Sequence, residues 1–130
     1  MIPYDTSYTP PAPVLTVTLS GVVNSRPRAT VPAIIDTAAD ITGVPAQLKS
    51  SLRLYQFSQL QLEDARGVNE PVSTYEVQLA IEGQHPTIIE TILVPFPFVV
   101  LGRDWLQDYY LLLSGPEQQF LISKIPLNKR

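Results

Sequence analysis

The chain has no cysteine and one histidine, His85, among its 130 residues. Without thiols, neither a disulfide framework nor a thiolate metal site can form, and one histidine does not make a histidine-rich metal cluster. Catalysis by this chain must therefore use carboxylates, hydroxyls or amines.

Positive charge is also scarce. Nine basic residues stand against twelve acidic ones, and the net charge of -3 is spread along the chain. Because nucleic-acid backbones attract clustered basic residues, we do not expect nucleic acid as a partner.

No apolar run is long enough to cross a bilayer, and the first residues lack the basic and apolar regions of a signal peptide. These features predict a cytoplasmic protein without membrane contact.

Proline, by contrast, is abundant, with 13 residues. The prolines separate short segments rich in Val, Ile, Leu, Thr and Tyr, a pattern typical of an all-β barrel or sandwich. Residues 14 to 23 alternate apolar and polar side chains, and residues 98 to 101 form a continuous apolar run typical of a buried strand. We expect one domain over residues 14–130, preceded over residues 1–13 by an extended Pro-rich arm or, as an open alternative, by a disordered end.

Two short helices are predicted. Pro45 suits the first turn of one over residues 45 to 49, because its missing N–H is not needed there. The stronger candidate covers residues 103 to 110, where Asp104 can cap the helix and Trp105 shares an apolar face with Tyr109. Both aromatic side chains are expected to cover one end of the barrel.

One aspartate, Asp36, has a sequence environment suited to catalysis. It follows the apolar pair Ile34 and Ile35 and precedes small residues, so it is expected on a loop between strands, partly desolvated but open to substrate. Hydrolysis of a peptide by carboxylates needs two of them close enough to share one proton. One chain must therefore contain two such sites or form a dimer.

Two short motifs carry a family resemblance. Residues 34–40, Ile-Ile-Asp-Thr-Ala-Ala-Asp, resemble the apolar-apolar-Asp-Thr-Gly-Ala-Asp signature of retropepsin-like aspartic proteases. Residues 99–106, Val-Val-Leu-Gly-Arg-Asp-Trp-Leu, resemble the segment that opens the C-terminal helix of that family. Between them, a polar, glycine-containing stretch over residues 64 to 69 is expected to form a β-hairpin in the place of the family's flap, which closes over substrate.

The resemblance implies a small closed β-barrel of the acid-protease type with one short C-terminal helix, working as a homodimer. In such a dimer the two Asp36 carboxylates hold one proton and one water, which attacks a peptide carbonyl, and activity is expected to be shifted toward acid pH. A peptide or protein is the implied substrate. No metal or organic cofactor is implied.

The resemblance implies roles for the residues of this chain that match the positions of the family's motifs. Asp36 matches the catalytic aspartate, and Thr37, Ala38 and Arg103 match the dimer and active-site loop. Arg103 is expected to pair with Asp40, and we favour a buried structural pair over a solvated surface pair. The substrate-binding residues implied are Ala39, Asp40, Asp64, Ala65, Arg66, Gly67, Val68 and Val99. Apolar pockets are expected from Val44, Val68, Val99 and Leu101.

One position departs from the family pattern. Ala38 stands where the family nearly always has glycine, and its methyl group either tightens the catalytic pair or strains the loop. Two alternatives stay open, the first of them because of Ala38. The first is a weakly active or inactive retropepsin-like dimer that serves as a peptide-binding or assembly module, and the second is a monomeric β-barrel interaction domain. Asp64 and Arg66 are either solubilising charges or flap residues that touch substrate.

Overall fold

The computed structural model describes residues 1–127. Ten strands and two short helices follow one another within these residues. They are β1 (Ile2–Pro3), β2 (Val14–Gly21), β3 (Arg28–Ile35), β4 (Gly43–Pro45), α1 (Leu48–Ser51), β5 (Gln56–Glu63), β6 (Asn69–Ile81), β7 (Thr87–Val94), β8 (Val99–Leu101), α2 (Arg103–Leu106), β9 (Tyr110–Ser114) and β10 (Gln119–Ser123).

Strand β2 closes the larger sheet into a barrel. The order of that sheet is β2-β3-β8-β4-β7-β6-β5, and β2 also pairs with β6, so six strands form a ring and β5 extends from it. On one side β2 runs antiparallel to β3, from Val14 opposite Ile34 to Ser20 opposite Arg28. The predicted all-β barrel is confirmed, and closure gives residues 17–20 of β2 a strand partner on both sides.

The core is built from the predicted alternation. Leu15, Val17 and Leu19 of β2 are buried, whereas Thr16 between them is exposed. A strand whose alternate side chains are apolar buries one face and leaves the other in solvent. Fully burying one such Leu or Val side chain contributes about 1.5–3 kcal/mol. The two-residue period of this segment therefore fixes which side of the strand faces inward.

The first residues pack against the domain. β1 pairs with β10 in a second sheet of order β1-β10-β9, with Ile2 opposite Phe120. The Tyr4 ring lies 6.2 Å from the Phe120 ring, and Asp5 forms an antiparallel bridge with Ala12. Residues 1–13 are thus a short strand and a closed loop, attached to the edge of a small sheet.

Both helices differ from their predictions. α1 begins at Leu48 rather than Pro45, because Pro45 belongs to β4 and pairs with Val94. α2 ends at Leu106 rather than at residue 110, because Tyr110 already pairs with Ser123 of β10. The N-cap of α2 is Gly102, without a side-chain cap, so Asp104 is not the N-cap residue; it lies in the first turn, where its Oδ1 accepts from the Trp105 N–H at 2.9 Å.

The described helices are too short for a membrane span: within residues 1–127, none is long and apolar enough to cross a bilayer.

Candidate active site

Asp36 lies where two parallel strands end together. β3 pairs in parallel with β8, with Ile35 opposite Leu101, and both of these side chains are buried. The backbone N–H of Asp36 donates to the Leu101 carbonyl at 3.0 Å, and the side chain is half-buried. The sequence-based placement of Asp36 on a loop after a buried strand agrees with this geometry.

The loop after Asp36 is organised by its own hydrogen bonds. The Ala38 N–H donates to the Asp36 carboxylate Oδ1 at 3.0 Å, and the Ala39 N–H donates to the Asp36 carbonyl at 3.2 Å. A side-chain oxygen bonded to a backbone N–H two residues on is the geometry of an Asx turn. This turn orients the carboxylate and leaves Thr37 and Ala38 exposed.

Ala38 adopts an ordinary backbone conformation. The non-glycine residues with positive φ in the described part of the chain are Arg53 and Gln118. Glycine is required only where φ is positive or where space is lacking, and neither an unusual φ nor burial is found at residue 38. In the single chain, the methyl group of Ala38 therefore imposes no backbone strain.

Arg103 connects the start of α2 to this loop. Its backbone N–H donates to the Ala39 carbonyl at 2.9 Å, and its Nη1 donates to the Thr37 carbonyl at 2.6 Å. Its Nη2 forms an ion pair with the Asp40 carboxylate. The side chains of Arg103 and Asp40 are 52% and 85% exposed, so the expectation of a buried pair is wrong for the single chain.

A buried hydrogen-bond network lies beneath Arg103, and the sequence did not predict it. Thr42 is fully buried, and its hydroxyl donates to Asp104 Oδ1 at 2.7 Å while accepting from the Gly102 N–H at 3.1 Å. The Thr42 N–H donates to Asp104 Oδ2 at 3.0 Å. A Cβ on Gly102 would lie 2.9 Å from the Ile41 carbonyl carbon, so the two segments touch backbone to backbone. The one sequence signal was a threonine inside an apolar run.

An apolar surface depression adjoins the aspartate, and we call it the Asp36 cleft. Apart from the loop itself, its wall is formed mainly by Leu62, Ile92, Val94, Phe96 and Val100.

Three residues expected to line apolar pockets are absent from this wall. Val44, Val99 and Leu101 are fully buried in the core. Successive side chains of a strand point to opposite faces, so Val100 faces the cleft while Val99 and Leu101 face the core. Val99, expected among the substrate-binding residues, therefore does not line the Asp36 cleft in the single chain, whereas its neighbour Val100 does.

The predicted hairpin joins β5 to β6, with Glu63 opposite Asn69. At its tip, Asp64 Oδ1 accepts from the N–H groups of Arg66 and Val68 at 2.8 and 3.1 Å, and Oδ2 pairs with Arg66 Nη2 at 2.9 Å. The hydrogen bond from the Arg66 side chain is the largest cause that lowers the pKa of the Asp64 carboxyl, and the bonds from the two backbone N–H groups lower it further.

The two ends of this hairpin differ in their relation to the Asp36 cleft. Leu62 and Glu63 reach it, whereas residues 64 to 68 are exposed and do not line it in the single chain. Substrate contact by Asp64, Ala65, Arg66, Gly67 and Val68 stays a prediction. Within residues 1–127, no group of three or more metal-ligating side chains comes together.

No family model and no curated protein sequence matches the chain. Solved structures do match. EIAV protease complexed with the inhibitor HBY-793 is 22% identical, with a TM-score of 0.51 and coverage of 75% of this chain and 86% of that one. Simian foamy virus (mac) protease is 17% identical, with a TM-score of 0.54 and coverage of 73% and 96%.

The foamy viral protease–reverse transcriptase in complex with an RNA/DNA hybrid is 16% identical, with a TM-score of 0.54, and the match covers 75% of this chain but 12% of that one. All three structures contain a retroviral protease, and the two protease chains are matched over most of their length. The chain therefore has the retropepsin-like fold of the retroviral proteases.

Proposed function

We propose that the chain is one half of a homodimeric aspartic endopeptidase, with Asp36 as its catalytic residue. The observation that carries the proposal is the half-buried Asp36 on an Asp-Thr loop, beside an apolar cleft, in a retropepsin-like fold. Asp36 is reachable by water and substrate, and its turn orients the carboxylate. These properties suit a group that exchanges protons with a bound water.

In the proposed mechanism, two Asp36 carboxylates, one from each chain, hold one proton and one water between them. The unprotonated carboxylate removes a proton from the water as it attacks the peptide carbonyl, and the protonated one donates to the carbonyl oxygen. The C–N bond then breaks: the amine leaves with a proton from the pair, while one hydroxyl of the intermediate returns its proton to the pair, which again holds one proton. Because the pair must keep one shared proton, we expect activity to fall when both carboxylates are ionised.

Exposed surfaces on the single chain support dimerisation. Thr37 and Ala38, next to Asp36, are open to solvent. β9 is the edge strand of its sheet, and Leu112 and Leu113 on it are 48% and 44% exposed. An apolar edge strand presents both unpaired backbone groups and apolar side chains to another chain. We assign this edge to the dimer interface.

The proposed substrate is an extended peptide with apolar side chains near the scissile bond. Ile92, Val94 and Val100 give the Asp36 cleft an apolar wall that favours such side chains. In this proposal the tip of the β5–β6 hairpin moves over the bound peptide and excludes water, as mobile loops do in many enzymes.

Digestion of a peptide library from acid to neutral pH tests the proposed activity. We expect cleavage by the wild type and a rate at least about a hundredfold lower for Asp36→Asn, which keeps the shape but removes the proton-transfer group. Asp108→Asn is the matched control, because Asp108 is exposed and outside the cleft. Absence of cleavage by the wild type at every pH refutes the enzyme and leaves a dimeric peptide-binding module, whose binding is then measured with the same library.

Sedimentation of the wild type tests the dimer. Leu113→Arg places a charge on the β9 edge and is expected to give a monomer without peptidase activity, whereas Ile88→Arg, at a residue 53% exposed on β7, leaves the dimer intact. A wild-type monomer that cleaves peptides contradicts the proposed mechanism.

A further inference from the structure

One wall of the Asp36 cleft comes from a segment with little backbone support. Residues 95–98 connect β7 to β8, and Pro95 and Pro97 among them have no N–H. No loop backbone hydrogen bond in the described part of the chain involves residues 95–97. Phe96 nevertheless lines the cleft and is 45% exposed. Its position must therefore depend on side-chain packing.

That packing is a chain of three aromatic rings. The Phe96 ring stacks on the Phe98 ring with centroids 5.3 Å apart and planes 4° apart. The Phe98 ring in turn makes a T-shaped contact with the Tyr8 ring, with centroids 5.7 Å apart and planes 76° apart. Both arrangements are among those that aromatic pairs favour. The ring chain thus joins the cleft wall to the N-terminal segment.

Tyr8 is held in place by a closed loop. Asp5 and Ala12 exchange two backbone hydrogen bonds, at 2.7 and 3.2 Å, which close the loop that contains Tyr8. Asp5 Oδ1 also accepts from the N–H and the hydroxyl of Ser7, at 2.8 and 2.6 Å. The half-buried Tyr8 side chain therefore has a defined position against Phe98.

We propose that Tyr8 is a positioning residue, which acts through Phe98 to hold Phe96 as a wall of the Asp36 cleft. Its effect on catalysis rests on the proposed function, but the positioning of Phe96 does not. Tyr8 touches no reacting atom in this proposal. Its contribution is to peptide binding, because it fixes a ring that would otherwise be free to leave the wall.

Fluorine NMR tests the positioning without any substrate. The chain has four phenylalanines, at positions 57, 96, 98 and 120, so labelling with fluorophenylalanine gives four signals, assigned by single Phe→Leu replacements. We expect Tyr8→Ala to move the signals of Phe96 and Phe98, and Tyr8→Phe to add a fifth signal of its own and leave that of Phe96 in place. Tyr4→Ala is the matched control, because Tyr4 packs on Phe120, and it should move only that signal.

An unchanged Phe96 signal in folded Tyr8→Ala overturns the proposal. If the alanine variant does not fold, Tyr8→Leu, which keeps apolar bulk without the ring, replaces it, and an unchanged Phe96 signal in that variant overturns the proposal as well. On a peptide that the wild type cleaves, Tyr8→Ala should raise KM about two- to tenfold with kcat unchanged, and Tyr8→Phe should restore KM. An unchanged KM, or an equal effect of Tyr4→Ala, overturns the role in binding. If the wild type cleaves no peptide, the proposed function is refuted. The NMR signal of Phe96 then still tests whether Tyr8 positions Phe96.

Discussion

Replacing Thr42 by valine tests the network that holds the Asp36 loop against α2. Valine has nearly the shape of threonine, so the change removes the hydroxyl without opening a cavity. Two hydrogen bonds are lost, the one donated to Asp104 and the one accepted from the Gly102 N–H. Both Thr42 and Gly102 are buried, so water does not readily replace the missing partner.

The expected cost follows from these two losses. A buried donor left without an acceptor costs about 1–3 kcal/mol, and a hydrogen bond to a charged group contributes about 1.5–3 kcal/mol. The added methyl group of valine returns about 0.8 kcal/mol. We therefore expect the free energy of unfolding to fall by about 2–5 kcal/mol, a large part of the 5–15 kcal/mol typical of a domain.

Urea denaturation measured by tryptophan fluorescence gives this quantity directly. Trp105 is the single tryptophan, is 3% exposed and directly follows Asp104, so its emission reports on this junction. Thr16→Val is the matched control, because Thr16 is exposed on β2, and it should change the free energy of unfolding by less than about 0.5 kcal/mol. If Thr42→Val costs no more than Thr16→Val, the network does not stabilise the fold as argued.

Three further measurements address the loops. Gly102→Ala should lower the free energy of unfolding by about 1–3 kcal/mol, because the added Cβ would meet backbone atoms. Gly115→Ala is the control, because the space around Gly115 is open, and it should not lower this free energy. Equal effects of the two changes in urea titrations would contradict the prediction. Ala38→Gly should lower the same quantity by about 0.4–1 kcal/mol through chain entropy, and a stabilised variant would show that alanine is strained there. The pKa of Asp64 is lowered in the folded chain, so its contribution to the hairpin tip is fully present above the ordinary value of 3.8 and is lost as pH falls through the folded pKa. Hydrogen exchange of the Arg66 amide should therefore accelerate at the acid end of a pH series after correction for intrinsic rates, and a constant protection factor would refute this.

Features that depend on near neighbours in the chain were predictable from the sequence. The alternation in β2, the loop at Asp36 and the β5–β6 hairpin all appear where their local patterns indicate. In each case the residues of one short segment indicate its local structure, either through a two-residue period of apolar side chains or through residues that favour a turn. The two family-like motifs are of this local kind as well.

The remaining features depend on segments far apart in the chain. A continuous apolar run such as Val99, Val100 and Leu101 has no alternation, so nothing in it tells which side chains face the core. Pairing of β8 between β3 and β4 decides that Val100 alone faces the Asp36 cleft. Tyr8 likewise gains its partner Phe98 only when β1 joins β10 and the N-terminal loop closes.

The sequence by itself thus determined an all-β chain with Asp36 on a loop and a hairpin after it. Tertiary structure alone decided that Asp104 binds Thr42 as well as the first turn of α2, that Arg103 and Asp40 pair at the surface, and which side chains form the cleft wall. The physical reason is that a side chain's partner is set by which backbones approach one another, and that approach is the outcome of packing the whole barrel rather than of any local pattern.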